Sequence, residues 1–256
     1  MVPALIVDCF LFNDEWECLE IRISELEGLV DRFLLVEGNR YFNGEPRQPT
    51  PTDALKGLSP KIEQLIVEIP RQGGSWDREW AQRNAIKDGI VDLSPKDYVL
   101  VSDVDEIPRR SAVEDSFRFL QNGMIAAFDL DQYYFRLNLR DTVESVLTTR
   151  LCRKENIQQV QNLRALRPRA FELMVPNGGW HFGWLGSPER TKQKLSRFSH
   201  QELNTPEIAN EDYLATCHRL RMTAHNGHPL ERVEIDDTFP LLVREHPERF
   251  AHLIEP

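Results

Sequence analysis

Three carboxylates fall within four positions at Asp103, Asp105 and Glu106, inside the stretch KDYVLVSDVDEIPRR from Lys96 to Arg110. Two aspartates spaced Asp-x-Asp on either side of a turn suit a hard divalent cation that is also held by phosphate oxygens. The residues around them decide whether such a site is plausible. Ahead of the acids, Tyr98 to Val101 form a short unbroken apolar run, the signature of a strand buried on both faces of a parallel sheet. Behind them, Pro108 ends extended pairing and fixes the next turn. Ligands of open α/β sheets gather at the carboxyl ends of strands, where these acids fall. A solvated acidic turn is the plain alternative, and the apolar strand and the proline favour the metal reading over it.

The elements that must position this turn can be read outward from it. Ala4 to Val7 reads as a first strand with Asp8 at its carboxyl end, and Asn13 is placed to cap a helix with Asp14 and Glu15 in its first turn. Trp16, Leu19, Ile23 and Leu26 share one face of that helix, and Gly28 is placed to stop it. Val30 to Glu37 and Gln64 to Ile69 read as the second and third strands. The Pro-, Gly- and Asn-rich stretch between them, residues 38–57, is a loop long enough to serve a function. A helix starting at Ser75 or Asp77 carries Arg83 and precedes the central strand. Strands alternating with helices imply right-handed crossovers and a parallel sheet, an α/β nucleotide-binding architecture in outline.

Past the acidic turn, Gly123 to Leu130, Gln132 to Leu139 and Ser145 to Cys152 read as further strands. Asn156 to Val175 is basic, with Arg164, Arg167 and Arg169, and NGGWHFGWLG reads as a glycine-rich aromatic turn before a polar helix from Ser187 to about His200. Short helices follow from Thr205. The expected division is a catalytic domain over 1–186 and a helical extension over 187–256 packed on it.

Composition narrows the partners. The 256 residues can bury the core of one large domain. With 41 acidic against 31 basic residues, a formal charge of -10 argues against nucleic acid or an anionic membrane as main partner. A phosphate-bearing ligand would need a local metal or arginines. Cys9, Cys18, Cys152 and Cys217 are far apart with no CxxC spacing, which reads as reduced thiols rather than a zinc knuckle or disulfide framework. The N-terminus has no basic leader region, and no apolar run reaches the roughly 20 residues of a membrane span. The expected location is the cytoplasm, or the periphery of a membrane's inner face.

Five blocks in order carry a resemblance: VDCFLFNDEWECLEIRISELEGLVDRFLLVEGNRYFNGEPR, REWAQRN, SDVDEIP, NGGWHFGWLG and KLSRFSHQELN. Together they resemble glycosyltransferase family 17, the β1,4-mannosyl-glycoprotein β1,4-N-acetylglucosaminyltransferases that make bisecting GlcNAc in animals. The helix with Arg and Asn before a strand ending in Asp-x-Asp resembles nucleotide-sugar enzymes of the GT-A fold. The resemblance runs from Ile6 to about Asn204. It implies a GT-A-like fold and an inverting transfer, forming a β-linkage, of a sugar, GlcNAc by resemblance, from a UDP-sugar to a glycan or glycolipid acceptor. Animal members carry a Golgi anchor and stem, whereas this chain begins at the first strand, so the chemistry is better supported than the animal acceptor.

On that reading Asp103 and Asp105 hold Mn²⁺ or Mg²⁺, hard ions suited to oxygen ligands, which offsets charge on the leaving diphosphate. His181 is the late histidine that completes the metal shell in GT-A enzymes, with packing among aromatics as its alternative. Asp8, Glu37, Arg83 and Asp103 are expected against the nucleotide. Arg83 could grip phosphate bidentately or form an ordinary salt bridge, and Glu37 could accept from ribose or cap a turn. Trp180 and Trp184 could face an acceptor sugar or lie in the core; His200 reads as structural. The general base is open among Asp131, Glu144 and Glu189. Two rival readings stand beside this one. A haloacid-dehalogenase-like phosphohydrolase would need the acid pair on the first strand, where Asp8 has no partner at Phe10. A non-catalytic carbohydrate-binding protein would not need Arg83 and both aspartates.

Overall fold

The computed structural model describes residues 4–120, 123–165 and 172–256; Arg167 and Arg169 of the basic span lie outside them. Its first half alternates as expected: β1 (Ile6–Leu11), α1 (Trp16–Leu26), β2 (Arg32–Gly38), α2 (Thr52–Leu58), β3 (Ile62–Val67), α3 (Ser75–Asn84), α4 (Ile86–Gly89) and β4 (Tyr98–Asp103). These strands lie side by side as β3-β2-β1-β4, all parallel. Helices cover both faces, so IVDCFL, RFLLVEG and YVLVSD need no polar alternation. Phe10, Phe33, Leu35 and Leu100 pack to one side, and Cys9, Leu34, Val99 and Val101 to the other.

The second half closes the sheet differently. It comprises β5 (Glu106–Pro108), α5 (Arg110–Ser116), β6 (Ile125–Tyr134), β7 (Leu139–Val146), β8 (Arg150–Arg153), α6 (Val160–Ala165), β9 (Glu172–Gly183), α7 (Pro188–Arg197), α8 (Glu211–Leu220), β10 (Leu230–Arg232) and α9 (Leu241–Glu245). Beyond β4 the order continues β8-β6-β7-β10 with antiparallel pairings. The α/β class holds, with an antiparallel wing beside the parallel strands. The stretch after residue 205 supplies β10 at the edge of this wing as well as helices.

Several expected boundaries move, each for a physical reason. β1 runs on to Leu11, so Asp8 lies inside the strand, where the side chain of Arg22 makes its charge tolerable. Asn13 does not cap α1. Asp14 takes a left-handed φ of 75° there, and the Asn13 N–H instead donates to Glu15 at 2.9 Å. The segments around residue 131 form one continuous strand, β6, and Ser145 to Cys152 divides between the ends of β7 and β8.

The largest change is at NGGWHFGWLG: Asn177 to Gly183 end the 12-residue strand β9, and the chain turns only at Trp184 to Gly186, with left-handed φ of 54° and 113° at Trp184 and Gly186. Its glycines are there for close approach. A Cβ on Gly179 would lie 2.1 Å from the Ile107 carbonyl oxygen, and one on Gly178 would lie 2.8 Å from the Asp129 nitrogen. β9 can therefore pass between β6, parallel to it, and β5, antiparallel to it, pairing Glu106 with His181. Pro108 ends β5 opposite Gly179 instead of preventing a strand.

Beneath the acidic turn lies one buried cation. Arg22 on α1 has no solvent exposure and uses every N–H it has. Nε and Nη2 hold the Asp8 carboxylate at 2.7 and 2.5 Å, Nη2 also reaches Ser102 Oγ at 2.6 Å, and Nη1 donates to the carbonyls of Asp103 and Glu106 at 3.2 and 2.8 Å. Burial pushes the Asp8 carboxyl up against the opposing pull of Arg22, so the pair does more to place the turn than to add net stability. Arg22→Met would strand the Asp8 charge, and urea unfolding is expected to show a loss of about 3–5 kcal/mol. Adding Asp8→Leu should recover part of that loss in a double-mutant cycle while leaving the turn without its anchor.

Candidate active site

A cleft of about 600 Å³ opens where β1, β4 and β9 end, walled by α3, α6 and α7. Its charged end is built on the β4–β5 turn. Asp103 closes β4, and one of its oxygens accepts from Arg83 on α3 at 2.9 Å and the other from Arg164 on α6 at 2.5 Å. Arg83 is also held by Glu79, one helical turn earlier, and by Gln161. Arg164 bridges onward to Glu106, which further accepts from the Thr148 hydroxyl at 2.6 Å and the Asp103 N–H at 3.2 Å.

Asp105 faces the other way, toward β9 and α7. Its Oδ2 lies 2.7 Å from the Lys194 ammonium and 3.8 Å from His181 Nε2. Lys194 also reaches Glu15, at 3.2 Å. Lys194 is delivered by α7, which Ser187 caps through its hydroxyl and which Thr191 and Leu195 seat against the fold. His181 has its other ring nitrogen 3.3 Å from Gln132 Oε1, an oxygen that also accepts from the Tyr134 hydroxyl at 3.0 Å. Oε1 can only accept, so Nδ1 donates to it and Nε2 is the nitrogen that faces Asp105.

The opposite end of the cleft is aromatic. Tyr134, Trp184 and His225 lie edge to face or tilted within 6 Å of one another. Trp76 and His200 meet at 4.5 Å on the rim.

The sequence-derived candidates separate in space. Arg83, Asp103, Asp105, His181 and Trp184 line the cleft together. Asp8 and Glu37 do not line it. Asp8 is the Arg22 partner, and Glu37, wholly buried, ties the 38–57 loop by accepting from Thr50, Gln64 and Arg47. Trp180 faces away, buried in the core with the Arg109 guanidinium 4.4 Å from its ring centre. Alternation along β6 puts Gln132 and Tyr134 toward the cleft, so Asp131 points to the other face. Glu144 and Glu189 are exposed, and neither lines the cleft.

Sequence reasoning missed Glu15, Glu106, Gln132, Arg164 and Lys194 as site residues. Glu106 was visible beside the aspartates and Arg164 in the basic span, while Gln132 and Lys194 gave no signal of their own. Asp8, buried and bidentately paired, also cannot serve the phosphohydrolase reading, which needs a free acid on the first strand.

Electrostatics follow from these contacts. Burial pushes the Glu106 carboxyl up, but the charge and hydrogen bonds of Arg164 outweigh it and hold the group down at about 2. Burial likewise raises Asp105, and Lys194 and His181 together bring it below the ordinary carboxylate range. At Glu15 burial prevails over Lys194 and the carboxyl is raised. Among the described residues six carboxylates line the cleft, Glu15, Glu79, Asp103, Asp105, Glu106 and Glu202, against the three permanent cations Arg83, Arg164 and Lys194.

The residues present fit a hard divalent ion. Asp105 Oδ2 and His181 Nε2 converge, and the histidine tautomer is fixed by an outer hydrogen bond, as metal-ligating imidazoles require. Among the described residues no three acidic, histidine or cysteine groups form a ready cage. A cation here would draw its other ligands from water and donor phosphates, which is how Mg²⁺ is commonly bound.

The family comparison puts this chain in the glycosyltransferase class. The family model for glycosyltransferase family 17 matches residues 1–230, and the chain belongs to that family. The human β-1,4-mannosyl-glycoprotein 4-β-N-acetylglucosaminyltransferase is 25% identical over 234 residues, covering 76% of this chain and 43% of the human protein; the mouse protein of the same name is 24% identical over the same shares. The chain thus spans less than half the length of these relatives. Among solved structures, a 4-diphosphocytidyl-2C-methyl-D-erythritol synthase aligns with 69% of this chain and 90% of its own at 12% identity and a TM-score of 0.44. No described helix is long and apolar enough to cross a membrane.

The Glu106 carboxyl predicts a pH dependence. Its folded value lies below the ordinary 4.5, so its stabilising contribution is complete above about pH 4.5 and is lost as pH falls toward about 2. That difference corresponds to about 3 kcal/mol. Unfolding free energies measured at pH 7 and pH 3 should fall more steeply in the wild type than in Glu106→Gln; parallel slopes would mean that Arg164 does not hold this carboxylate.

Proposed function

We propose that this chain transfers a sugar, N-acetylglucosamine, from a UDP-sugar to a hydroxyl of a glycan or glycolipid acceptor, in a metal-dependent and inverting reaction. The observation that carries the metal requirement is the cleft's charge. Among the described residues its acidic lining outnumbers its cations two to one, and a diphosphate would add further negative charge there. Mn²⁺ or Mg²⁺ held by Asp105 and His181 would supply Lewis-acid stabilisation of the diphosphate as it leaves.

The remaining work falls to the chain's own side chains. Arg83 and Arg164 are fixed by Asp103 and Glu106 with their guanidinium groups at the cleft wall, preorganised to receive phosphate oxygens. Asp103 on this reading orients two arginines, and Asp105 is the carboxylate left for the cation. Gln132 keeps the proton on His181 Nδ1. The aromatic end, with exposed Trp76 on the rim and buried Trp184 packed behind, offers apolar surface to the sugars. The family relationship supports the donor class, and the names of the curated relatives support GlcNAc.

With UDP-GlcNAc and Mn²⁺ but no acceptor, slow UDP release is expected, and chelation should stop it until Mn²⁺ or Mg²⁺ is restored. Turnover that survives thorough chelation would refute the metal requirement. Asp105→Ala should abolish transfer with the fold intact by circular dichroism, and product NMR should show a β-linkage from the α-linked donor. Gln132→Met should weaken Mn²⁺ activation by roughly 10–100-fold, the usual cost of losing the partner that orients a ligating histidine; an unchanged Mn²⁺ requirement would remove His181 from the metal shell.

A further inference from the structure

One oxygen, Asp105 Oδ2, faces both His181 Nε2 and the Lys194 ammonium. The ammonium sits between two carboxylates, Asp105 at 2.7 Å and Glu15 at 3.2 Å, in a seat only slightly exposed to solvent. This is the environment a small cation would choose, and it overlaps the place where Asp105 and His181 converge. A divalent ion on Asp105 Oδ2 and an ammonium on the same oxygen would repel each other in a poorly solvated pocket. Lys194 is nevertheless on a flexible four-carbon stem, and α7 is held independently by the two-pronged Arg190–Glu17 pair at 2.7 and 2.6 Å. The ammonium can leave its seat without the helix moving.

We infer that Lys194 is a resident cation that a divalent metal must displace from Asp105, and that the anionic diphosphate of the donor gives the displaced ammonium its new partner. This rests on the metal reading given above. Metal alone binds weakly, because it evicts the ammonium from Asp105 and leaves it beside the ion with no fresh anion. Metal and nucleotide together bind well, since the ammonium exchanges one anionic oxygen for another. The lysine thereby couples the two ligands and contributes a positive charge at the diphosphate. A purely structural Lys194 would tie α7 to the turn and have no such effect on metal affinity. The coupling is reciprocal: the factor by which UDP improves Mn²⁺ binding is the factor by which Mn²⁺ improves UDP binding, and removing the Lys194 charge must change both alike.

The test measures binding rather than turnover. Mn²⁺ affinity is read by electron paramagnetic resonance with and without UDP, for the wild type, Lys194→Met, Lys194→Gln and Lys194→Arg. Both neutral variants should bind Mn²⁺ at least about 10-fold more tightly than the wild type when UDP is absent, and UDP should improve that binding at least about 10-fold less than it does in the wild type. Lys194→Arg, which keeps the charge, should stay close to the wild type. The glutamine variant retains hydrogen bonding to both carboxylates, so it reports even if the methionine variant folds poorly. Neutral variants that bind Mn²⁺ no better than the wild type would overturn the exchange and leave the metal site standing. A wild type that binds no Mn²⁺ even with saturating UDP would instead remove the metal site itself, and the exchange with it.

Discussion

Everything at the charged end of the cleft depends on one guanidinium with no water around it. Arg22 spends its five N–H groups on one carboxylate, one hydroxyl and the carbonyls at both ends of the acidic turn. A lysine could not reproduce this, because its three donors radiate from a point and cannot clamp a carboxylate while reaching two carbonyls in a plane. The carbonyls of Asp103 and Glu106 both accept from the cation, which pins the turn that carries Asp105 at its two ends. The arrangement also ties α1 to β4, so the helix beginning at Trp16 and the turn ending β4 behave as a single rigid piece.

Above that floor, the site is a set of opposed charges rather than a row of acids. Asp103 and Glu106 are spoken for by Arg164, and Arg83 is shared between Asp103 and Glu79. Such pairs give little net stability, since each charge gives up its hydration. Their effect is to fix the direction in which each guanidinium can approach a ligand. An anion entering here would accordingly meet a field made by groups already locked in place, which limits the reorganisation needed as charge changes there.

Much of this was legible in the sequence, and the pattern of success has a physical basis. β2 and β4 were legible because strands buried on two faces are written as unbroken apolar runs, and the acidic turn because charges at the end of such a run are conspicuous. Asp8 misled because a buried, paired aspartate looks in one dimension like a strand terminus. NGGWHFGWLG misled for a related reason: glycines usually signal turns, yet Gly178 and Gly179 are required here by the proximity of β5 and β6, and that proximity is a tertiary fact. Lys194 and Gln132 were out of reach of sequence reasoning altogether. Each matters only through a residue far away in the chain, 89 positions for Lys194 to Asp105 and 49 for Gln132 to His181.

The crossing of β9 over β5 sets a limit on how this enzyme could diversify. His181 lies two residues beyond Gly179, Asp105 lies two before Ile107, and at the crossing itself the two backbones are in contact with no side chain between them. The separation of the histidine from the aspartate is therefore gauged by main chain, like a fixed jaw. Repacking of neighbours can widen or narrow a cavity bounded by side chains, and here there is nothing to repack. A lineage descending from this scaffold could recast the aromatic wall residue by residue, while the spacing of His181 from Asp105 would pass down unchanged.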